Sequence, residues 1–258
     1  MFVFPRKETA YSSELDSKVY GMIESLYAGE VNDTYRKIAT EVLKDSIWQE
    51  DDGYISVGIV ACEVPYSEDI LYYLHGIGLT NSWPRYSSDG KTIKIYVEDV
   101  NGTKCEEYKK DIVEIYNFIQ TIKMNTLNMT DINKINYFQS VINEMLVYDN
   151  SKEITYKINE VLEKKEAVCT GYSSLFYLCC INTGIQCENV GNPQHMWNRV
   201  YLDNTWKYID LTWNDMFGEN KWYLLDATQL DEDHVMLDCF NKEPIIQQTQ
   251  ITIINSSP

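Results

Sequence analysis

The sequence predicts an α+β fold in which one helix packs on an antiparallel sheet, preceded by a mostly helical region with a small α/β element. Two observations carry this prediction. Apolar residues recur at helical spacing through much of residues 1–150, whereas short alternating stretches separated by turns follow from about residue 187. The 258 residues are enough for one large domain or two small ones. We therefore expect an N-terminal region at 1–150 and a core at 151–258, the latter one compact unit or two closely packed subdomains.

Helical spacing dominates the N-terminal region. It predicts helices at about residues 13–27, from an N-cap at Asn32 onward, and over about 104–146, where Thr130 caps the second of two helices. Between them, two Asp-Gly turns precede stretches that alternate as half-buried strands do. These strands are expected at about 54–60 and 92–97, and a short helix is expected to open at Ser67.

The C-terminal region begins with two predicted helices, at about 153–165 and 169–182, and Gly184 is expected to end the second one. Short alternating segments then predict a sheet. Its strands are expected at about 187–191, 194–202, 205–213 and 221–225, with a last strand near 251.

Charge and hydropathy narrow the function classes. The formal net charge of −17 disfavours a nucleic acid or an anionic membrane as partner, because both bind basic patches. The acidic excess weakly favours a cationic or neutral substrate, although solubility alone is the simpler explanation. No stretch approaches the ~18 apolar residues of a membrane span. The composition does not define an oligomeric state.

The cysteines indicate a reducing compartment. Seven is an odd number, and Cys179 and Cys180 are adjacent, which is not typical of a disulfide framework. No pair of cysteines has zinc-site spacing, so we expect no metal and no cofactor. Because the first residues also lack the pattern of a secretory signal, a cytoplasmic location is favoured; a signal removed from the chain would instead imply secretion. Six of the cysteines are expected to be small buried apolar residues: Cys62, Cys105, Cys179, Cys180, Cys187 and Cys239.

The seventh cysteine has the surroundings of a nucleophile. Cys169 lies at the start of a predicted helix, whose exposed N–H groups favour a thiolate. His195 and Asp210 follow on neighbouring predicted strands, and a thiol, an imidazole and a carboxylate are the parts of an acyl-transfer site. Gly171, two residues after the thiol, would allow substrate to approach the backbone closely.

The loop between the two strands determines whether His195 and Asp210 can meet. If Asp203 and Asn204 form a two-residue loop, Leu202 pairs with Thr205 and the two functional side chains become diagonal neighbours on one face. A loop with an odd number of residues would send them to opposite faces. The proposed site therefore predicts an even loop.

Four tryptophans lie near these three residues in the sequence: Trp197, Trp206, Trp213 and Trp222. We expect at least two of them to be core residues and one or two to wall the active cleft, with Trp197 and Trp213 the pocket candidates. Asn198 either caps a strand or supports the site.

Three blocks of the sequence resemble the transglutaminase-like superfamily, whose fold is related to papain-like cysteine proteases. These are Ala-Val-Cys169-Thr-Gly-Tyr, His195-Met-Trp-Asn, and Trp-Lys-Tyr-Ile-Asp210-Leu-Thr-Trp. The resemblance covers about residues 150–225 and is greatest to a bacterial branch with an N-terminal extension. It implies that Cys169 is the nucleophile, His195 the base and Asp210 the third member of a catalytic triad.

The resemblance also assigns supporting residues. The oxyanion hole would use the backbone N–H of Cys169 and an upstream donor, for which Tyr148 is the candidate. Tyr172, in the nucleophile block, is a further pocket candidate, and His234 is expected to be structural support. Two departures, Gln139 in the helix before Tyr148 and Thr170 after the nucleophile, leave the triad intact and bear on substrate contacts.

Active relatives share a thioester acyl-enzyme formed from an amide. The expected activity is therefore a cysteine-dependent peptidase, amidase or acyltransferase acting on a peptide or protein substrate. No calcium loop of the Asp-x-Asp-x-Asp-Gly type is present, so hydrolysis is favoured over cross-linking. The alternative is a catalytically inactive protein- or peptide-binding module on the same fold.

Overall fold

The computed structural model describes most of the chain. Its described residues are 14–33, 35–36, 39–40, 55–62, 85–88, 93–99, 105–151, 158–241 and 251–252. The helices, numbered in chain order, are α1 (Glu14–Tyr27), α2 (Cys105–Thr126), α3 (Asp131–Met145), α4 (Ile158–Lys164), α5 (Cys169–Asn182) and α6 (Leu211–Phe217). The strands are β1 (Ile55–Cys62), β2 (Arg85–Ser88), β3 (Ile93–Asp99), β4 (Val147–Tyr148), β5 (Glu166–Ala167), β6 (Cys187–Gly191), β7 (Met196–Leu202), β8 (Thr205–Ile209) and β9 (Ile251–Thr252).

Helix α5 lies at the centre of the core. Every residue from Thr170 to Ile181 is buried, so the helix has no solvent-facing side beyond its first turn. A helix that is apolar around its whole circumference must be covered on all sides. Here the cover comes from α1, α2, α3, α4 and α6 on one side and from β6 and β7 on the other. The predicted arrangement, a helix packed on an antiparallel sheet, is confirmed.

The sheet beside α5 consists of three antiparallel strands in the order β6-β7-β8. Leu202 pairs with Thr205, and the register continues to Asn198 opposite Ile209. Asp203 and Asn204 both have positive φ, 48° and 62°, as the two central residues of a type I′ turn require. The predicted two-residue loop and its register are therefore confirmed.

The sequence misplaced the end of the last sheet strand. A strand was expected over 205–213, but β8 ends at Ile209 and α6 begins at Leu211. Asp210 is the N-cap of this helix, and its side chain accepts a hydrogen bond from the Trp213 N–H at 3.1 Å. Aspartate is among the best N-cap residues because its oxygen satisfies an N–H that has no partner within the helix. Gly218, with φ of 62°, ends the helix.

The strand expected at 221–225 is also wrong. Within that segment, the structure forms a single antiparallel bridge, between Leu225 and Tyr208. Short 3₁₀ helices follow at Ala227–Gln229, Glu232–His234 and Asp238–Asn241. The four residues from Trp222 to Leu225 are apolar without alternation, and this described segment forms no ladder beyond the bridge.

Most N-terminal predictions on described residues are confirmed. Helix α1 matches the expected range, Asn32 accepts a hydrogen bond from the Tyr35 N–H at 3.2 Å, and Thr130 caps α3. A four-stranded sheet has the order β2-β3-β1-β9 and includes the expected C-terminal strand. The helix expected from Ser67 lies outside the described residues, as does the beginning of the helix expected at 153–165.

The N-terminal helices α1, α2 and α3 pack against α5. One hydrophobic cluster joins α1, α2 and α3 to α5 and therefore extends across residue 150. Polar contacts add to it, since Asn182 donates to the Leu26 carbonyl at 2.8 Å and Tyr177 donates to Glu30. Among the described residues, no helix is both long and apolar enough to cross a bilayer.

Candidate active site

Cys169 is the first residue of α5 and is partly exposed. Val168 before it has extended backbone geometry and gives the helix no side-chain cap, so the thiol lies directly at the positive end of the helix. Cys179, Cys180 and Cys187 are buried, as predicted. Burial raises the pKa of the Cys179 and Cys180 thiols, which keeps them protonated and unreactive. The side chains of the other three cysteines lie outside the described part of the chain.

His195 directly precedes β7 and is fixed by a tight turn. The Asn192 side chain accepts hydrogen bonds from the backbone N–H groups of Gln194 and His195, at 3.0 and 2.9 Å. The Asn192 N–H in turn donates to the His195 carbonyl at 3.0 Å. A Cβ on Gly191 would lie 2.6 Å from that carbonyl oxygen, so glycine is required for the close approach. These local hydrogen bonds fix the backbone of His195 and therefore the point from which its side chain extends.

Two indole rings enclose the imidazole. The His195 ring stacks on Trp197 with centroids 5.6 Å apart, and on Trp213 with centroids 5.4 Å apart. The ring planes are within 27° and 25° of parallel. Trp197 is buried, as a core residue, while Trp213 is partly exposed and forms a wall of the site. The two indole rings therefore restrict rotation of the imidazole out of its own plane.

The carboxylate of Asp210 completes the predicted trio. Its Oδ2 atom lies 2.6 Å from Nε2 of His195, and the side chain is 1% exposed. The Cys169 thiol is near enough to His195 to act on the pKa of the imidazole. The structure thus brings the three residues together, with the carboxylate bonded to the imidazole and the thiol beside it.

The electrostatics of the trio favour an ion pair. Burial opposes the charged form of His195, but hydrogen bonds to Asp210 and Cys169 outweigh it and raise the pKa of His195 to about 10. Burial likewise opposes the charge on Asp210, yet the bonds from two imidazoles and from the Trp213 N–H lower its pKa. At neutral pH the imidazole is therefore cationic and the carboxylate anionic.

A second histidine lies on the same carboxylate. Nε2 of His234 is 3.0 Å from Asp210 Oδ2, and its Nδ1 is 2.6 Å from Oδ1 of Asp231. Asp231 also accepts a hydrogen bond from the Trp222 indole N–H at 2.9 Å. His234 was expected to be structural support, and Asp231 was not singled out. Their spacing of three residues in a polar loop gave no periodic signal that could have identified the pair.

Two other pocket candidates have structural partners. Tyr172 is buried and donates its hydroxyl to Asp215 at 2.7 Å. Asn198 is also buried and joins β7 to α5, because its amide donates to the Ser173 carbonyl at 3.0 Å and to Asn189 at 2.7 Å. Asn198 therefore holds β7, which follows His195, against α5, which begins at Cys169.

The remaining candidates flank the start of α5. A Cβ on Gly171 would lie 2.7 Å from the Ala167 Cβ and 2.9 Å from a methyl of Val161, so the packing of α4 and β5 needs the glycine. Tyr148 is half-buried on β4, which pairs in parallel with β5 so that Tyr148 lies opposite Ala167. Tyr148 is thus next to the segment that leads into the nucleophile.

One group of side chains in the described part of the chain has the composition of a metal site. The donor atoms of His195, Asp210 and His234 all lie within 4.8 Å of one another. However, the two imidazoles already satisfy the shared carboxylate oxygen by hydrogen bonds of 2.6 and 3.0 Å. Hydrogen bonds of this length account for the clustering of the three side chains.

The fold and site together define a mixed α+β domain with a cysteine at a helix N-terminus facing a histidine and an aspartate from a neighbouring sheet. Residues 117–211 match the model of the Transglutaminase-like superfamily, a range that includes all three residues. The chain therefore contains a transglutaminase-like domain, and the resemblance seen in the sequence is confirmed.

Individual relatives are distant. Kyphoscoliosis peptidase of Mus musculus is 31% identical over a stretch that covers 22% of this chain and 11% of that protein, and the Homo sapiens form is 30% identical with the same coverage. The matched region thus spans about a tenth of these curated relatives. A crystal structure of a TGase is 20% identical with a TM-score of 0.34, covering 58% of this chain and 48% of that one.

Proposed function

We propose that this protein is a cysteine-dependent acyl-transfer enzyme that cleaves a peptide or glutamine-type amide through a thioester intermediate. The observation that carries the proposal is the position of His195, whose Nε2 lies 2.6 Å from Oδ2 of the buried Asp210 and whose ring lies beside the Cys169 thiol. A buried carboxylate, an imidazole and a partly exposed thiol at a helix N-terminus are the parts of an activated nucleophile.

The chemistry divides into two steps. Nε2 of His195 is bonded to Asp210, which leaves Nδ1 to exchange a proton with the thiol. The Cys169 thiolate attacks the amide carbonyl, and the imidazolium then donates its proton to the departing amine as the C–N bond breaks. Water, deprotonated by the neutral imidazole, attacks the resulting thioester and releases the carboxylic acid and the thiol. Asp210 holds the ring and stabilises its charged form in both steps.

The oxyanion of the tetrahedral intermediate needs N–H or O–H donors near the thiol. The backbone N–H of Cys169 is one candidate, and Tyr148, next to the segment before the thiol, is another. Trp197 offers a third, because its indole N–H is buried and has no hydrogen-bond partner among the described residues. An unpaired buried donor of this kind is uncommon and calls for a functional explanation.

Hydrolysis is favoured over cross-linking within this proposal. The sequence contains no Asp-x-Asp-x-Asp-Gly calcium loop, so activation by calcium in the manner of animal cross-linking enzymes is disfavoured. The net charge of −17 favours a neutral or cationic peptide as substrate.

The deciding experiment is the capture of the acyl-enzyme from a peptide library by intact-protein mass spectrometry. A mass increase on wild-type protein that is localised to Cys169, and that decays to free enzyme and a carboxylic acid, is the expected result. Added primary amine distinguishes the two outcomes, because a cross-linking enzyme would release an amide product in its place.

The inactive binding module is tested in parallel by alkylation. Cys169 should react with iodoacetamide at about pH 6 much faster than an ordinary cysteine, because its thiolate is paired with the His195 imidazolium. If Cys169 reacts no faster than free cysteine and no acyl-enzyme forms, the enzyme proposal is wrong and a binding role takes its place.

A further inference from the structure

The second histidine of the site has contacts that a space-filling residue does not need. His234 is 1% exposed, and both of its ring nitrogens face carboxylate oxygens, at 3.0 Å from Asp210 and 2.6 Å from Asp231. An ionised carboxylate can only accept hydrogen bonds. Two bonds of this length are therefore satisfied together only when both nitrogens of His234 carry a proton.

Both carboxylates are in the ionised form that this argument needs. Burial opposes the charge on Asp231, but its bonds with His234 and with the Trp222 N–H lower its pKa, and Lys221 lies 3.8 Å away. The pKa of Asp210 is lowered as well, despite burial. The geometry thus describes an alternating row of charges, Asp231, His234, Asp210 and His195, that ends at the Cys169 thiol.

The groups around His234 leave no other partner for its charge among the described residues. Its ring is packed edge-on against Trp197 and Trp213, with centroids 4.8 and 4.6 Å away, and lies nearly parallel to Trp222 at 6.1 Å. The titratable and charged groups near His234 come from several elements of the fold. They are Cys169 on α5, His195 before β7, Asp210 after β8, Asp231 in the following loop, and Lys221 beside Asp231. A buried charge has to be compensated by such partners.

We propose, building on the function proposed above, that His234 is a positioning residue that acts through Asp210. As a cation it shares the Asp210 carboxylate with His195 and partly neutralises the negative charge of that carboxylate. The Cys169 thiol is then less strongly affected by the carboxylate, and His234 thereby sets the pH at which Cys169 becomes reactive. Asp231 holds His234 in this state.

Two substitutions of opposite charge test this role. His234→Gln keeps an amide donor for Asp210 but removes a positive charge, so the pH at which iodoacetamide begins to alkylate Cys169 should rise by about half a unit. Asp231→Asn keeps an acceptor for His234 but no longer stabilises its charged form, so the same onset should also rise, by a similar or smaller amount. Lys207→Gln, which removes a surface cation paired with Asp226, is the matched control and should leave the onset unchanged.

The measurement is the rate of alkylation of the full chain from about pH 4 to about pH 9, with thermal melting to verify folding. A higher onset in both folded variants, with an unchanged rate at high pH, supports the proposal, since a merely structural role would lower the rate at every pH. No shift or a lower onset in folded His234→Gln, or a lower onset in folded Asp231→Asn, overturns it.

Wild-type protein gives an independent test if a variant does not fold. The chain has three histidines, so their ring nitrogen signals can be assigned by NMR of ¹⁵N-labelled protein. The hydrogen-bond geometry requires a proton on both nitrogens of His234, and their chemical shifts report it. A single neutral tautomer would overturn the proposal. Neither measurement uses a substrate, so a raised onset in both variants without any hydrolysis would leave this inference intact while disproving the enzymatic function.

Discussion

The helix that carries Cys169 and the hairpin that carries His195 meet at one site, but different forces hold them. Helix α5 is buried from Thr170 to Ile181, mostly by apolar side chains, and Cys169 lies at its partly exposed N-terminal end. The imidazole is placed by short directional contacts instead, with Asn192, Asp210 and the faces of two indole rings. Apolar packing spreads over many small contributions, whereas a hydrogen-bonded cluster depends on each member.

This difference indicates which substitutions affect chemistry and which affect folding. Changes at the exposed end of α5 should alter reactivity with little effect on stability. Changes among the bonded groups of the hairpin should affect both, and changes inside the helix packing should affect stability alone. Four predictions follow this order from the largest expected effect to the smallest.

Cys169→Ala should abolish turnover, with a loss of about 10⁴-fold or more, because no other described thiol is accessible. The free energy of unfolding should change by less than about 1 kcal/mol, since the side chain is only partly buried. Hydrolysis of the trapped library peptide and urea denaturation measure the two quantities. A folded variant that retains activity would place the nucleophile elsewhere.

Asp210→Asn should lower kcat by about 10³-fold and also destabilise the fold by about 2–4 kcal/mol. The amide would present an N–H group to two imidazoles that now donate to Oδ2, and it would remove a charge that stabilises imidazolium. The comparison predicts this double effect only for the hairpin side of the site. A loss of activity with unchanged stability would mean that the network is less important for folding than its burial suggests.

Gly171→Ala should destabilise the protein by about 2 kcal/mol, because the added methyl meets Ala167 and Val161 at 2.7 and 2.9 Å. The matched control is Gly21→Ala in α1, where an added Cβ has open space and alanine is the better helix former. The control should therefore gain about 0.5 kcal/mol. Denaturation midpoints of the two variants give the comparison, and an equal response at both glycines would contradict it.

The ion pair between His195 and Asp210 should give a modest pH dependence of stability. The pKa of His195 is raised to about 10, so its contribution is complete below the unfolded value of 6.5 and is lost as the pH rises toward 10. The pKa of Asp210 is lowered, so its contribution is present above its ordinary value and is lost as the pH falls through the lowered one. The free energy of unfolding should therefore decline above about pH 6.5, which denaturation at a series of pH values measures.

A variant isolates this contribution from the rest of the protein. His195→Gln lacks the titrating group, so its stability should decline less steeply between about pH 6.5 and about pH 10 than that of wild type. Parallel curves for the two proteins would show that other groups account for the pH dependence.

Much of the site could be predicted from local patterns. The helix start at Cys169 and its end near Gly184 follow from apolar residues and a glycine that adopts φ of 85°. The register of the hairpin follows from Asp203 and Asn204, because a two-residue loop with positive φ fixes strand pairing. Once the register is known, His195 and Asp210 must share a face.

Other features depended on contacts between distant segments. Asp210 ends its strand because its carboxylate caps α6 and accepts two imidazole bonds, and only one of those imidazoles was expected to contact it. Gly171 was interpreted as space for substrate, but the space is filled by Val161 and Ala167. Neither neighbour could be identified from spacing along the chain.

The sequence by itself determined the fold class and the even loop that brings His195 and Asp210 together, because periodicity and turn geometry operate over a few residues. It singled out Cys169, His195 and Asp210 by their chemistry and by the motifs around them. Only the tertiary structure decided that His234 joins Asp231 to the Asp210 carboxylate behind His195, and that two indole rings enclose His195. Those contacts arise when buried polar groups from separate loops satisfy one another in the absence of water, which no local pattern records.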